Sequence, residues 1–283
     1  LVLLTLGTGL LAGLYPAFYL SSFKPVLVLK GKIMNNFSAT AIRKGLVVFQ
    51  FTISVALILG AIVIGRQLYF MENQPLGFNK QQQIILPMPN KLVAENFTVL
   101  KNELLKNRAI QTVTSGSTYP GIQIINDMLF YPQGKTLSEK VDIHLASVGD
   151  DYFETLGIQL LQGRLFSKAF TADSLAIVLN ETAVKELGYE TATAVGKKIH
   201  YDFQGLHRTM EIVGVVKDFN FQSLREPIQP YGLQASTGGF NYLIVHMRSG
   251  DPRGVLQAVE KSWKKFNPTE PFEYSFLDQD FEK

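Results

Sequence analysis

The sequence predicts an α+β globular domain attached to transmembrane α-helices. Three observations indicate this fold class: an uncharged apolar run at 46–65, a basic segment before it, and ordinary globular composition after residue 70. In the later part, strand and helix patterns follow one another without regular βαβ alternation, which is typical of α+β domains. The first acidic residue of the chain is Glu72, so the compositional change is sharp.

The run at 46–65, LVVFQFTISVALILGAIVIG, has the length and composition of a membrane span. Its clearly polar side chains are Gln50, Thr52 and Ser54. A helix of this length rises about 30 Å, which matches the hydrocarbon thickness of a bilayer. Tyr69 and Phe70 follow one turn later, where interfacial aromatic residues gather. We therefore expect a transmembrane helix and periplasmic stalk at 46–70. The alternative is a buried core helix, but soluble helices rarely run this far without a charge.

A second apolar run at 1–20 predicts another transmembrane helix. The connection at 21–45 carries five basic residues and no acidic one, so the positive-inside rule predicts a cytoplasmic loop. The polypeptide after residue 70 is then extracytoplasmic. Because the chain starts at Leu1 within an apolar run, we expect it to be a fragment of a longer membrane protein.

The extracytoplasmic part shows short segments with strand or helix periodicity. Strands are predicted at 83–88, 110–115, 128–131, 140–148, 175–179, 198–203, 209–217, 242–247 and 272–277. Amphipathic helices are predicted at 91–108 and 252–266. A short helix in 150–164 turns into a strand at Gly157, and a second short helix begins at the N-cap Asn180 and stops at Gly188.

No pattern of catalytic or ligand residues is present in the sequence. The chain lacks Cys, which excludes disulfides, thiolate metal sites and cysteine nucleophiles. Its four histidines, His144, His200, His207 and His246, are scattered, and none has a second ligand at metal-like spacing. Phosphate-binding loops and hydrolase or metalloprotease motifs are absent. We therefore predict no enzyme, no catalytic, cofactor-binding or metal residue, and no cofactor. The net charge of +3 comes from the membrane-proximal basic residues and suggests no nucleic-acid partner.

Several ordered motifs resemble one family. They are DDYFETLGIQLLQGRLF at 150–166, IVLNETAVKELG at 177–188, VGKKI at 195–199 and EIVGVVKDFNFQSLREPIQP at 211–230. Together with the preceding span, they resemble the periplasmic core domain of MacB/FtsX-like permeases of ABC transporters. YPAFYLSSFKPVLVLKG at 15–31 is similar to the end of the first permease half in eight-span members of Bacteroidetes-type bacteria.

The resemblance implies a permease in the bacterial inner membrane, with several spans and with the domain after residue 70 in the periplasm. Its core domain, 76–283, would comprise a ferredoxin-like porter part (76–148 and 231–283) and an inserted sabre part (149–230). A separate cytoplasmic ATPase would drive export by mechanotransmission, as in efflux or antimicrobial peptide transport, with the cargo left open. Further implied partners are a second permease copy or half, a periplasmic adaptor and the lipid bilayer.

The motif residues have structural explanations. We expect Gly157, Gly163, Gly188, Gly196 and Gly214 to serve turns and close packing, and Tyr152, Phe153, Leu156 and Ile158 to lie in the core.

Two other functions remain open at this stage. A membrane-anchored extracytoplasmic sensor of a signalling receptor has the same arrangement of spans and α+β domain. A tethered periplasmic enzyme is disfavoured because no acid, base or metal constellation is visible.

Overall fold

The structure is a computed structural model. It describes residues 7, 10, 13, 14, 17, 21, 37–122, 126–166, 171–222, 224, 226–236, 238, 240–248 and 250–281. The chain divides into two units, Leu1–Asn73 and Gln74–Lys283. Of the predicted span at 1–20, residues 7, 10, 13, 14 and 17 are described and are helical; the others lie outside the described residues.

The first unit contains the long helix α1, Phe37–Asn73. Its segment Arg43–Phe70 is long and apolar enough to cross a membrane, and it includes the predicted span at 46–65. Its apolar side chains are exposed, Leu57 by 68%, which argues against the core-helix alternative. The predicted loop 21–45 is wrong for residues 37–45, which are helical. No proline interrupts that stretch, and Gly45 costs a helix only about 1 kcal/mol.

The second unit alternates strands and short helices. The strands are β1 Gln83–Pro87, β2 Ile110–Gly116, β3 Asp127–Pro132, β4 Val141–Val148, β5 Leu160–Gly163, β6 Ala176–Asn180, β7 Lys198–Phe203, β8 Leu206–Val216, β9 Tyr231–Ala235, β10 Tyr242–Met247 and β11 Ser275–Phe276. The helices are α2 Lys91–Glu95, α3 Phe97–Leu104, α4 Tyr152–Leu156, α5 Glu181–Glu186, α6 Pro252–Phe266 and α7 Leu277–Phe281. Short 3₁₀ turns occur at Leu137–Glu139, Thr171–Leu175 and Thr191–Thr193.

Four strands form an antiparallel sheet in the order β11-β1-β10-β2. Helices α2, α3 and α6 pack on one face of it, because their apolar residues recur at helical spacing. The resulting core contains Leu86, Leu100, Val245, Val259 and Trp263, all nearly inaccessible to solvent.

Six other strands close on themselves into a small barrel. The pairings run β4-β3-β7-β8-β6-β9 and return from β9 to β4; β6–β8 and β4–β9 are parallel. Inward-facing residues of β3, β4, β6, β7 and β8 form one buried cluster with apolar residues of α5. Ile143, Ile177 and Ile212 contribute from three strands, and Val184 from the helix, each fully buried.

A third cluster joins the two parts. It combines Ile85 and Ile244 of the four-stranded sheet with Tyr152 and Leu156 of α4 and with Tyr231 of the barrel. The four-stranded sheet and the barrel also share one strand pairing, between Gly116 of β2 and Val148 of β4.

Some predicted elements differ from the structure. The helix expected at 91–108 ends at Leu104 and is divided at Asn96 into α2 and α3, although the Asn96 amide still donates to the Leu92 carbonyl (3.2 Å) and the Leu100 amide to the Asn96 carbonyl (3.0 Å). The last strand covers Ser275–Phe276 instead of 272–277, since residues from Leu277 form α7. Leu175 was expected in a buried strand but precedes β6 and is 60% exposed. Strand β9 was not predicted.

Candidate functional site

The segment at 217–221, KDFNF, connects β8 to three other parts of the domain; we call it the junction. The Lys217 amide donates to the Gln159 carbonyl (2.9 Å) and the Asn220 amide to the Leu76 carbonyl (2.8 Å). The Phe221 carbonyl accepts from the Gly121 amide (3.0 Å). The junction therefore links the barrel strand β8 to the first residues of the domain and to the loop after β2.

A side-chain network fixes the junction to the N-terminus of α5. Asp218 accepts from the Thr182 amide (3.0 Å) and from the Thr182 hydroxyl (2.8 Å). In return, the Asp218 amide donates to the Glu181 carboxylate (3.1 Å). The first amides of a helix lack intrahelical partners and favour negative charge, so a carboxylate at this position is stabilising.

Asn180 ties the same helix end to β9. It has no exposed surface, and its Oδ1 accepts from the Ala183 amide (3.0 Å) and the Tyr231 amide (2.8 Å). Its Nδ2 donates to the Gln229 carbonyl (3.0 Å). One side chain thus caps α5, as the sequence predicted, and also holds the start of β9.

Aromatic rings fill the space beneath the junction. Phe219, Phe221 and Tyr231 are at most 2% exposed, and their ring centroids are 4.2 to 5.9 Å apart. Burial raises the pKa of Tyr231 well above its ordinary value, so the phenol stays uncharged. Gly77 passes close to this group with a positive φ of 80°, and a Cβ there would lie 2.8 Å from the Phe219 Cα. A side chain at position 77 would therefore separate the first segment from the junction.

The two ends of the domain meet in what we call the terminal contact, formed by Phe78, Tyr119, Ser275, Asp280 and Phe281. The rings of Phe78 and Phe281 lie 5.5 Å apart, nearly perpendicular. The Tyr119 hydroxyl donates to Asp280 Oδ2 (2.9 Å), and the Ser275 hydroxyl donates to the same oxygen. Burial is the main cause that raises the pKa of the Tyr119 hydroxyl, and its hydrogen bond to Asp280 raises this pKa further. The last described segment of the domain is thereby held against its first segment.

The family described as MacB-like periplasmic core domain matches residues 46–260. The chain belongs to this family. Among curated relatives, the macrolide export ATP-binding/permease protein MacB of Aggregatibacter actinomycetemcomitans is 26% identical over 117 residues, 41% of this chain and 16% of that protein. The match therefore spans a small part of that relative's length.

Three solved structures are similar to this MacB-like domain. The periplasmic region of MacB from Actinobacillus actinomycetemcomitans has a TM-score of 0.48 at 19% identity, covering 72% of this chain and 92% of its own. A domain of a putative permease from Porphyromonas gingivalis has a TM-score of 0.48 at 14% identity, covering 70% and 91%. The extracellular domain of the ABC-type transporter YknZ from Gram-positive bacteria has 0.47 at 14%, covering 68% and 98%.

The structural roles predicted for the MacB-like motif residues are confirmed. Gly157, Gly163, Gly188 and Gly196 have positive φ angles, and Tyr152, Phe153, Leu156 and Ile158 are buried. Gly214 serves close packing, because a Cβ there would overlap the carbonyl oxygen of Arg164, next to the antiparallel pairing of β5 with β8. Sequence reasoning missed the role of Asp218, whose partners on α5 lie 36 residues away in the chain.

The histidines are less scattered than expected. His144 contacts Asp127 through Nδ1, and His246 is largely buried, in line with structural roles. His200 and His207, however, lie together on the β7–β8 hairpin, with ring centroids 4.8 Å apart. The hairpin turn brings together two residues that seemed distant in sequence. Within the described part of the chain, no group of three or more histidine and carboxylate side chains is arranged to hold a metal ion.

A surface cleft of about 370 Å³ lies on the barrel beside β8. Its rim includes Arg164, which is paired with the largely buried Asp173 at 2.6 Å. The cleft is lined by Arg164, Leu175, Ala176, Lys198, Thr209, Glu211 and Val213.

Proposed function

We propose that this chain is part of the permease subunit of an ABC transporter of the MacB/FtsX type. The family match carries the proposal, because it covers the apolar helix and the domain in one continuous stretch, 46–260. The similarity to a macrolide export ATP-binding/permease protein supports the same function. The chain itself is a moving part, and a separate cytoplasmic ATPase hydrolyses the nucleotide.

We further propose a multi-pass location in the bacterial inner membrane, with the domain after residue 70 in the periplasm. The length and apolar surface of Arg43–Phe70 support the membrane location, and the basic sequence before it supports the orientation. The proposed partners are the ATPase, a second permease copy or half, a periplasmic adaptor and the surrounding lipid.

The strand order supports a division of the domain into a ferredoxin-like porter part and an inserted sabre part. In the sheet β11-β1-β10-β2, helices α2 and α3 connect β1 to β2, and α6 connects β10 to β11. In each case one strand lies between the two connected strands, and the second of the two is at an edge of the sheet. The sequence-based boundaries are 76–148 with 231–283 for the porter part and 149–230 for the sabre part. Strand pairing favours a larger insert, near 117–241, since β3, β4 and β9 belong to the barrel.

Mechanotransmission would reach the barrel through the junction. The contacts that support this route are the Asn220–Leu76 hydrogen bond at the start of the domain and the Asp218–Thr182 pair at α5. Movement of the first segment would then pull on β8 and α5 together. The terminal contact limits how far the two ends of the domain can separate.

Affinity purification of the full-length protein from its native membrane tests the transporter function. Recovery of an ABC-type ATPase whose hydrolysis rate changes on reconstitution with this chain is the expected result. A co-purifying kinase without any ATPase would replace the transporter proposal with the sensor alternative.

This sequence contains no cysteine, so a single introduced thiol can report its topology once any cysteine elsewhere in the full-length protein has been replaced. Single variants Ala41→Cys and Lys140→Cys are treated in spheroplasts with a thiol reagent that does not cross the membrane. Lys140→Cys should be labelled, whereas Ala41→Cys should be labelled only after lysis. Labelling of both from outside would contradict the proposed orientation.

Transmission through the junction is tested by a double spin-label measurement. Labels at Lys140→Cys in the barrel and Lys261→Cys on α6 report the distance between the two parts of the domain, both sites being exposed. ATP should change this distance in the parent protein but much less in Asp218→Ala, while ATP hydrolysis persists. Asp142→Ala, at an exposed position on β4, is the matched control. An equal distance change in Asp218→Ala would exclude the junction from the transmission route.

A further inference from the structure

The outer face of the β7–β8 hairpin brings two imidazole rings together. In the strand register His200 pairs with Thr209 and Asp202 with His207, so the histidines are diagonal neighbours on one face. Their rings are stacked, with centroids 4.8 Å apart and planes inclined by 26°. The His207 side chain is 57% exposed, so an ion from solvent can reach the pair.

Hydrogen bonds hold both rings through Nδ1. His200 Nδ1 lies 2.8 Å from the Thr209 hydroxyl, and His207 Nδ1 lies 3.1 Å from Asp202 Oδ1 and 3.1 Å from the Tyr131 hydroxyl. Tyr131 also donates to Asp202 Oδ2 (3.2 Å). An ionised carboxylate only accepts, so this network is satisfied when His207 carries its hydrogen on Nδ1. The lone pair of the neutral ring is then on Nε2.

A histidine held through Nδ1 by a carboxylate, as His207 is by Asp202, is characteristic of metal ligands; the Nδ1 partner of His200 is the Thr209 hydroxyl. The partner on Nδ1 fixes the ring orientation and increases the basicity of Nε2. Imidazole nitrogen suits ions of the Zn²⁺ and Cu²⁺ class and not Mg²⁺ or Ca²⁺, which prefer oxygen. We propose that His200 and His207 bind a divalent transition-metal ion of this class through their Nε2 atoms, with water completing the coordination shell.

With two protein ligands, we expect weaker binding than at a closed four-ligand structural site.

The proposal is tested on the full chain in detergent, without a polyhistidine tag. Cu²⁺ is titrated and followed by electron paramagnetic resonance, which resolves the number of bound imidazole nitrogens, and Zn²⁺ is then used to displace it. The parent protein should show two nitrogens. His200→Ala and His207→Ala should each abolish the two-nitrogen signal, and Asp202→Asn should weaken binding by about tenfold, as is common when a ligand's carboxylate partner is lost.

His144→Ala is the matched control, because His144 also contacts a carboxylate through Nδ1 but its ring makes no contact with a second histidine. This variant should retain the two-nitrogen signal. Thermal unfolding of each variant without metal checks that the fold is intact. The proposal is overturned if the parent protein binds Cu²⁺ through one nitrogen or none, or if folded His200→Ala and His207→Ala both keep the two-nitrogen signal.

Discussion

Replacing Asn180 by alanine should be among the most destabilising single substitutions in the domain. The change removes three hydrogen bonds at a position with no exposed surface. Loss of a helix N-cap typically costs about 1 kcal/mol. The Tyr231 amide and the Gln229 carbonyl also lose their partner, at about 1–3 kcal/mol for each buried group. Since such terms do not add fully, we expect a loss of about 3–5 kcal/mol in the free energy of unfolding.

Urea unfolding of residues 74–283, a compact unit with its own core, provides the assay. Far-ultraviolet circular dichroism reports the whole domain, and fluorescence of the single, buried Trp263 reports the helical layer. Asn241→Ala is the control, because its side chain makes one exposed hydrogen bond, to the Ser117 carbonyl, and should cost less than about 1 kcal/mol.

Asn180→Asp refines the measurement. It keeps the acceptor for both amides but cannot donate to Gln229 while ionised. Because the folded state favours the protonated acid, its pKa should rise on folding, and this variant should regain stability relative to the parent as pH falls. If Asn180→Ala lies within about 1 kcal/mol of the parent protein, the three hydrogen bonds do not hold this region together and the reasoning fails.

Three further substitutions test other contacts. Tyr119→Phe removes the hydrogen bond to Asp280 and should lower the free energy of unfolding by about 1.5–3 kcal/mol, as for bonds to charged groups, measured by urea titration. Gly214→Ala should cost about 1–3 kcal/mol through overlap with the neighbouring strand, whereas Gly238→Ala, in open surroundings, should be nearly neutral in thermal unfolding. Hydrogen bonds from two lysines lower the pKa of Glu103 to about 2, so its stabilising effect is complete above pH 4.5 and is lost as pH falls towards 2. The stability difference between the parent and Glu103→Gln should shrink over that window, and a constant difference would show that the carboxylate charge is not responsible.

Local patterns were sufficient to predict most elements of the domain. The Asn180 cap, the stop at Gly188 and the helix Pro252–Phe266 were all correct because each is encoded within a few neighbouring residues. The alternation of Val141, Ile143 and Leu145 likewise predicted β4. These signals depend on helix ends and on period-two burial, which the sequence displays directly.

Long-range contacts account for what the sequence did not show. Strand β9 is short, follows a proline and contains Gly232, so its propensity is low. It forms because β4 and β6 pair with it on either side, and a Cβ at Gly232 would crowd Ile143 and Ile177 in the barrel core. The contacts of Asp218 with α5 are equally non-local, so no spacing rule could have identified them.

The strand order also constrains how the domain can fold as the chain emerges from its N-terminal to its C-terminal end. Strand β1 is synthesised early, but its partner β10 emerges only after the whole barrel. The barrel strands are complete by Ala235, so the barrel can close while β1 still lacks both neighbours. An unpaired apolar strand is prone to misassociation during that interval. In a nascent chain of this kind, chaperone binding to residues 83–87 should persist until β10 has emerged.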